Sequence, residues 1–264
     1  PLILHALLSG NARNLDTWQR SMPPAPLGCA YLNFTASHDG IGMRPAEGLL
    51  SSDDQAAMID AVRAAGGLVS MRALPGGGEA PYELNTTYFA ALAQTFDGPD
   101  DHHLERFLCS QTIVMSLEGI PAFYIHSMLA TPNDIEAVER RGMNRAINRH
   151  RWDYDALQRH LSDESSVHAQ VLAGLTRRLK IRQRQAAFHP NATQFTVTTG
   201  DARVFGIWRQ SLDRQQSIFA LHNVSKDTVT VPVSTLNIIA DEDWRDLLSG
   251  EIIPEDDIAL APYQ

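Results

Sequence analysis

Positive charge is in short supply in this chain of 264 residues: 22 Lys and Arg stand against 31 Asp and Glu, for a formal net charge of -9. A nucleic acid or an anionic membrane surface requires a basic face, so no nucleic-acid and no membrane partner is expected. Cysteine is scarcer still. Cys29 and Cys109 form no CxxC pair and lie in apolar stretches, so two buried free thiols in a reducing cytoplasm are expected, without a disulfide or redox motif. Long apolar runs are missing, and none approaches the roughly 20 residues of a membrane span. The opening Pro1-Leu-Ile-Leu-His-Ala-Leu-Leu lacks the basic flank and small-residue cleavage site of a signal peptide. His102-His103 has no third ligand at zinc spacing, so no metal is expected there and the pair should cap or precede a helix. Gly76-Gly77-Gly78 lacks the Lys-Ser or Lys-Thr of a phosphate loop and reads as a flexible lid or turn. Ser37-His38-Asp39 is not a nucleophilic triad, because a working triad gathers residues from separate elements.

What is present suits a globular protein of one or two domains, with 44% hydrophobic and 20% charged residues. The apolar spacing of Leu4, Leu7, Leu8 and Leu15 is helical. Strands are expected at Cys29 to Thr35, Leu68 to Arg72 and Ile120 to Ile125, and helices at about Asp53 to Ala65, Asp101 to Glu118 and Ser165 to Arg184. The basic run from Arg177 to Arg184 reads as a solvated helix face. This βα alternation predicts an α/β region, with the strands of Phe34 and Phe123 parallel. After Pro190 the period falls from 3.6 to 2, in runs such as Val204-Phe-Gly-Ile-Trp208 and Ser217-Ile-Phe-Ala-Leu221, separated by polar turns. A second, antiparallel β-domain is therefore expected over 188–264, after an α/β region over 1–187. Its five basic and eleven acidic residues hold most of the net negative charge, consistent with a solvated acidic face.

The stretch Tyr31-Leu-Asn-Phe-Thr-Ala-Ser-His38-Asp39-Gly-Ile-Gly-Met-Arg44-Pro places three polar side chains, His38, Asp39 and Arg44, where a strand meets a glycine-broken turn. In βα architecture functional groups gather at the carboxyl ends of strands. Adjacent strand residues point to opposite faces, so His38 and Asp39 share a pocket only if the chain bends, which Gly40 and Gly42 permit. The residues alone allow a polar ligand site or simple turn chemistry.

Asn33-Phe-Thr-Ala-Ser-His38-Asp39-Gly-Ile-Gly resembles the fourth signature region of the alpha-amylase superfamily of glycoside hydrolases and transglycosylases, at the end of barrel strand seven. Tyr82-Glu-Leu-Asn85, Gly119-Ile-Pro-Ala-Phe-Tyr, Thr131-Pro-Asn-Asp134 and Asn144-Arg-Ala-Ile-Asn-Arg-His150 follow in order and resemble its sucrose phosphorylase branch, glucosylglycerate and sucrose-phosphate relatives included. The resemblance runs through nearly the whole chain. It implies the C-terminal part of a TIM (β/α)8 barrel, about strands seven and eight with their helices, followed by the family's small β-domain. It also implies that Asp39 stabilises the oxocarbenium-like transition state, that His38 and Arg145 bind the glucosyl unit, and that Tyr82 and Glu83 sit on a mobile loop that switches the acceptor side. Glu83 departs from the pattern, because sucrose phosphorylase carries Gln after that Tyr, and a carboxylate beside an incoming phosphate is electrostatically awkward.

In the superfamily the nucleophilic Asp and the general-acid Glu precede the His-Asp motif, and only about one helix precedes it here. With no initiating Met, the chain is expected to be a C-terminal fragment, inactive alone, of a retaining glucosyl-transferring phosphorylase. It would act on an alpha-glucoside such as sucrose or glucosylglycerate, with inorganic phosphate as co-substrate and no cofactor. A sucrose or alpha-glucoside hydrolase on the same scaffold is the alternative within enzymes. A truncated sugar-binding or scaffold protein is the alternative outside them. Open sheet edges would favour a homo-oligomer or association with the missing half-barrel.

Overall fold

Two short helices begin the chain, α1 (Leu2–Ser9) and α2 (Arg13–Ser21), in a computed structural model that describes residues 1–236, 243–253 and 257–264. Within the expected β-domain, 237–242 and 254–256 therefore lie outside the described residues. Leu4, Leu7 and Leu8 of α1 are at most 1% exposed. Full burial of each contributes about 1.5–3 kcal/mol, which makes this helix a centre of the main core.

Next come β1 (Leu32–Asn33), β2 (Ile41–Gly42), α3 (Ser52–Ala64), β3 (Leu68–Ala73), β4 (Glu79–Asn85), α4 (Tyr88–Ala91), β5 (Gln94–Thr95) and β6 (Gly98–Pro99). The start of α3 is set by a capping box: the Ser51 hydroxyl accepts from Asp54 N, and the Asp54 carboxylate accepts from Ser51 N. β3 and β4 form an antiparallel hairpin, and β2 pairs with the other edge of β4. The hairpin turn consists of Gly76, Gly77 and Gly78, all at positive φ, closed by a hydrogen bond from Leu74 N to Gly78 O. The triple glycine is a strand-to-strand turn because three successive left-handed residues reverse the chain at little steric cost.

The chain continues through α5 (His103–Ser116), β7 (Ile120–Pro121), α6 (Ile125–Met128), α7 (Ile135–Arg141), α8 (Tyr154–Ser162) and α9 (Val167–Arg182). His102 precedes α5, but its side chain makes no capping bond. β1 and β7 pair in parallel, Leu32 with Ile120 and Asn33 with Pro121, so the expected parallel strands are present. They are shorter than expected: Phe34 and Phe123 lie beyond the paired residues, and Ile125 already opens α6. Pro121 has no N–H to extend the ladder, and a Cβ on Gly119 would stand 2.4 Å from Tyr31 O. Among the described residues β1 and β7 pair only with each other, leaving Leu32, Phe34, Ile120 and Ile125 48–62% exposed.

The remaining strands are β8 (Thr193–Thr196), β9 (Val204–Gln210), β10 (Ser217–Asn223), β11 (Val229–Pro232) and β12 (Asp257–Leu260). They form an antiparallel sheet ordered β10-β9-β8 and an antiparallel pair β11-β12, as the change of period predicts. The main core does not stop at residue 187. Phe205, Ile207, Val224 and Tyr263 share one buried cluster with Leu4, Phe107 and Ile113.

The cysteines differ from expectation in one respect. Cys109 is buried, with its thiol pushed up to about 12 by burial, whereas Cys29 is exposed. Cys29 lies just after an exposed, proline-rich stretch and outside the strand expected over Cys29 to Thr35, since β1 begins only at Leu32. Among the described residues no helix is long and apolar enough to cross a membrane, and no group of three or more His, Cys, Asp or Glu could hold a metal ion.

Candidate functional site

The polar cluster forms where the parallel pair ends. Beyond β1 the chain turns at Ser37–Gly40, closed by a bridge between those two residues, and the turn presses against β4. Gly40 has φ 120°, and a Cβ there would meet Leu84 O at 2.4 Å. Only glycine fits such an approach. The close contact brings the Asp39 carbonyl to Asn85 Nδ2, which donates to it at 3.2 Å.

Glu83 and Asn85 are two residues apart on β4 and share a face. Asn85 Nδ2 also donates to Glu83 Oε2 at 2.8 Å, and Ser70 of β3 donates to Asn85 Oδ1 at 2.6 Å. Glu83 is 6% exposed, so its carboxylate requires a charged partner. Arg145 supplies it, through Nε to Oε2 at 2.9 Å and Nη2 to Oε1 at 3.3 Å. The remaining nitrogen, Nη1, reaches Asp39 Oδ1 at 3.1 Å. The hydrogen bond to Glu83 holds the Arg145 guanidinium above its ordinary pKa, against the opposing effect of desolvation.

Arg149 completes the grip. It donates from Nη2 to Asp39 Oδ1 at 2.8 Å and from Nε to the His38 carbonyl at 2.9 Å. Both arginines come from one short 3-10 turn, Asn144–Asn148, and the residue that follows it. Asn148 docks that turn by donating to Ser37 O at 2.6 Å, and Tyr124 donates to Asn148 O at 2.8 Å. His38 Nε2 lies 3.4 Å from Asp39 Oδ1, with its ring largely exposed. All these contacts fall on Oδ1. Among the described residues Oδ2 accepts no hydrogen bond, so one oxygen is left without a hydrogen-bond donor on a carboxylate that is 34% exposed.

The structure thus brings together Asp39, His38, Arg145 and Glu83. It separates Arg44, which lies exposed on the 3-10 turn Arg44–Ala46. Among the described residues the Arg44 side chain forms no hydrogen bond or ion pair with the cluster. Tyr82 and Glu83 sit on strand β4 rather than on a loop, Glu83 paired with both Gly42 and Ser70 and Tyr82 the extra residue of a bulge beside it, and the two side chains diverge. Tyr82 is 39% exposed, and Glu83 is turned inward. Glu83 is consequently neutralised by a guanidinium, which removes the electrostatic conflict expected of a bare carboxylate. Arg149 and Asn85 were the residues sequence reasoning passed over. Both lie inside motifs already singled out, Asn144 to His150 and Tyr82 to Asn85, and a second arginine four positions after Arg145 was the available signal.

The chain can be compared with known proteins on this footing. No family model matches it. Glucosylglycerate phosphorylase of Escherichia coli (strain K12) is 35% identical over 264 residues, which is all of this chain and 46% of that protein. Glucosylglycerate phosphorylase of Spirochaeta thermophila is 39% identical over 268 aligned residues, again covering this whole chain and 44% of the relative. Its homologues are glucosylglycerate and sucrose phosphorylases. The solved sucrose 6F-phosphate phosphorylase of Thermoanaerobacter thermosaccharolyticum superposes with a TM-score of 0.71 at 19% identity, over 98% of this chain and 46% of that one. That likeness shows a shared α/β fold. The chain spans about half the length of the phosphorylases it matches.

Proposed function

We propose that this chain carries the transition-state-stabilising half of a retaining alpha-glucoside phosphorylase site, with glucosylglycerate as the leading substrate. The observation that carries the proposal is the half-engaged Asp39 carboxylate. Two guanidiniums lie on Oδ1, that of Arg149 at 2.8 Å and that of Arg145 at 3.1 Å, which orients the group. Oδ2 is left to accept from sugar hydroxyls and to face the positive charge that grows on the ring as the glycosidic bond breaks. His38 is the second sugar contact, and Arg145 and Arg149 position Asp39.

Retaining transfer also needs a nucleophilic and a proton-donating carboxyl roughly 5 Å apart. Glu83 is neither, since both of its oxygens are held by Arg145 and Asn85. Those two roles are not assigned to residues of this chain, and the 264 residues alone are expected to show no turnover. Glucosylglycerate ranks ahead of sucrose because the 35% and 39% identical relatives are phosphorylases of that name, whereas a sucrose phosphorylase is 26% identical. Inorganic phosphate would be the co-substrate.

The test is an assay of the protein that carries this sequence with glucosylglycerate and with sucrose, each with and without inorganic phosphate. Phosphate-dependent release of alpha-glucose 1-phosphate, faster from glucosylglycerate, is expected. Equal rates without phosphate would replace the phosphorylase by a hydrolase, and a preference for sucrose would overturn the substrate ranking.

A further inference from the structure

Arg149 is held between two anchored neighbours. On one side Asn148, 1% exposed, is fastened to Ser37 O. On the other, His150 Nδ1 lies 2.7 Å from Asp134 Oδ2. Asp134 serves three contacts at once: its Oδ1 caps α7 by accepting from Ala137 N at 2.8 Å, its own N donates to Ile147 O at 3.0 Å, and Oδ2 takes His150. Asp134 therefore ties the start of α7 to both sides of Arg149, to Ile147 through its backbone N–H and to His150 through its carboxylate. A 3-10 turn has poor intrinsic hydrogen-bond geometry, so the register of Arg145 and Arg149 depends on such side-chain ties.

We propose that His150 and Asp134 form a positioning pair that seats Arg149 on Asp39, and that this seating tightens when His150 carries a proton. The inference rests on the role proposed above for Asp39. Neutral imidazole still donates from Nδ1, but the charged form makes a shorter bond about twice as strong. An imidazole is the side chain that changes charge near neutral pH, which links the proton to the geometry at Asp39.

The groups that face His150 are few. Asp134 is in contact, and Arg140 of α7 acts on Asp134 through space. His126 of α6 lies close enough to interact electrostatically. Trp152 packs edge-on against His150 at 4.9 Å, and its other sides meet His160 of α8 and His168 of α9. Burial opposes ionisation of Asp134. The His150 hydrogen bond, the Ala137 N–H and the nearby His150 and Arg140 charges outweigh it, so the carboxyl is held below its usual range.

The experiment is a pH titration of the Arg149 Nε–Hε NMR resonance in the 264-residue chain and in the variants His150→Asn, His150→Ala and Asp134→Asn. Asn at 150 keeps an N–H donor near the Nδ1 position without a titrating charge, and Asn at 134 keeps the helix cap. In the parent chain the resonance should shift as His150 titrates. It should hold one position across that range in His150→Asn, and fall into the envelope of free arginines in His150→Ala. Asp134→Asn should abolish the shift. A resonance unmoved by His150→Ala, or a titration that persists unchanged in His150→Asn, would overturn the pairing. If His150→Ala does not fold, the two conservative variants decide. A parallel phosphorolysis profile of the whole protein that carries this sequence should lose its alkaline limb in His150→Asn. Absent phosphorolysis by that whole protein, with the NMR coupling intact, would count against the proposed activity and leave the positioning pair standing.

Discussion

Arginine does opposite work in two parts of this molecule. At the seam between α5 and the β10-β9-β8 sheet, Arg209 is fully buried and donates to the carbonyls of Ser116, His189 and Ala192. Burial pushes its guanidinium down to about 10, with Arg182 lowering it further. At the Asp39 cluster, Arg145 and Arg149 face carboxylates, stay 37% and 31% exposed, and Arg145 is shifted upward by its bond to Glu83. The seam spreads one charge over three backbone carbonyls, with Nε buried and without a hydrogen-bond partner among the described residues. The cluster sets charge against charge and leaves one carboxylate oxygen without a hydrogen bond. Shape and charge together distinguish a fastening from a site, even though both are arginine-rich.

That contrast is most directly broken at the seam. Arg209→Ala removes three carbonyl partners and opens a void, so urea melts should show a loss of about 3–5 kcal/mol, while sugar contacts at Asp39 are left intact. A loss under 1 kcal/mol would mean that water replaces the guanidinium and the seam is not fastened by it. Arg145→Ala should cost less, about 2 kcal/mol, between the values for exposed and buried pairs, because Arg145 is partly solvated while Glu83 is not. Adding Glu83→Gln should recover part of that loss. No recovery would show that Glu83 is not the group left stranded.

The seam should also have its own acid signature. His222, a residue of β10 in contact with Ser116 of α5, accepts from or donates to Ser116 Oγ at 3.1 Å and is pushed down to about 3 by burial. In the native state it stays neutral where the unfolded chain takes a proton, so stability is complete above the unfolded value of ~6.5 and falls as pH drops toward about 3. The slope contributed is at most ~1.4 kcal/mol per pH unit. His222→Gln should flatten that limb in melts run from pH 7 to 4, and an unchanged limb would assign it to other groups. The smallest effect on stability is expected at the bare parallel pair. Leu32→Ser with Ile120→Ser should shift stability by under ~0.5 kcal/mol yet reduce concentration-dependent association in light scattering, since these side chains form an exposed apolar patch.

The change from a period of 3.6 to one of 2 near Pro190 was legible because it is local, and β8 to β11 follow it. The helices were legible for the same reason, with Ser51 and Asp54 marking a start. The lengths of β1 and β7 were not, since they depend on Pro121 and on Gly119 meeting Tyr31 across the sheet. That His38 and Asp39 would lie together on a turn after a strand was readable from Gly40 and Gly42. The inward orientation of Glu83 was hidden, because it depends on the pairing of β4 with β2 and β3, which are close in space and only indirectly signalled in sequence. Arg149 shows the complementary failure. Its motif was seen, but two arginines four positions apart could be ranked only once a 3-10 turn was known to bring both to one carboxylate.

The central claim is that the free oxygen of Asp39 stabilises charge in the transition state, and kcat/KM for phosphorolysis of glucosylglycerate by Asp39→Asn tests it most directly. Asn keeps the volume and removes the charge, so kcat/KM should fall by about 10²–10³ with thermal unfolding nearly unchanged. Turnover within a factor of two or three of the parent protein would contradict it.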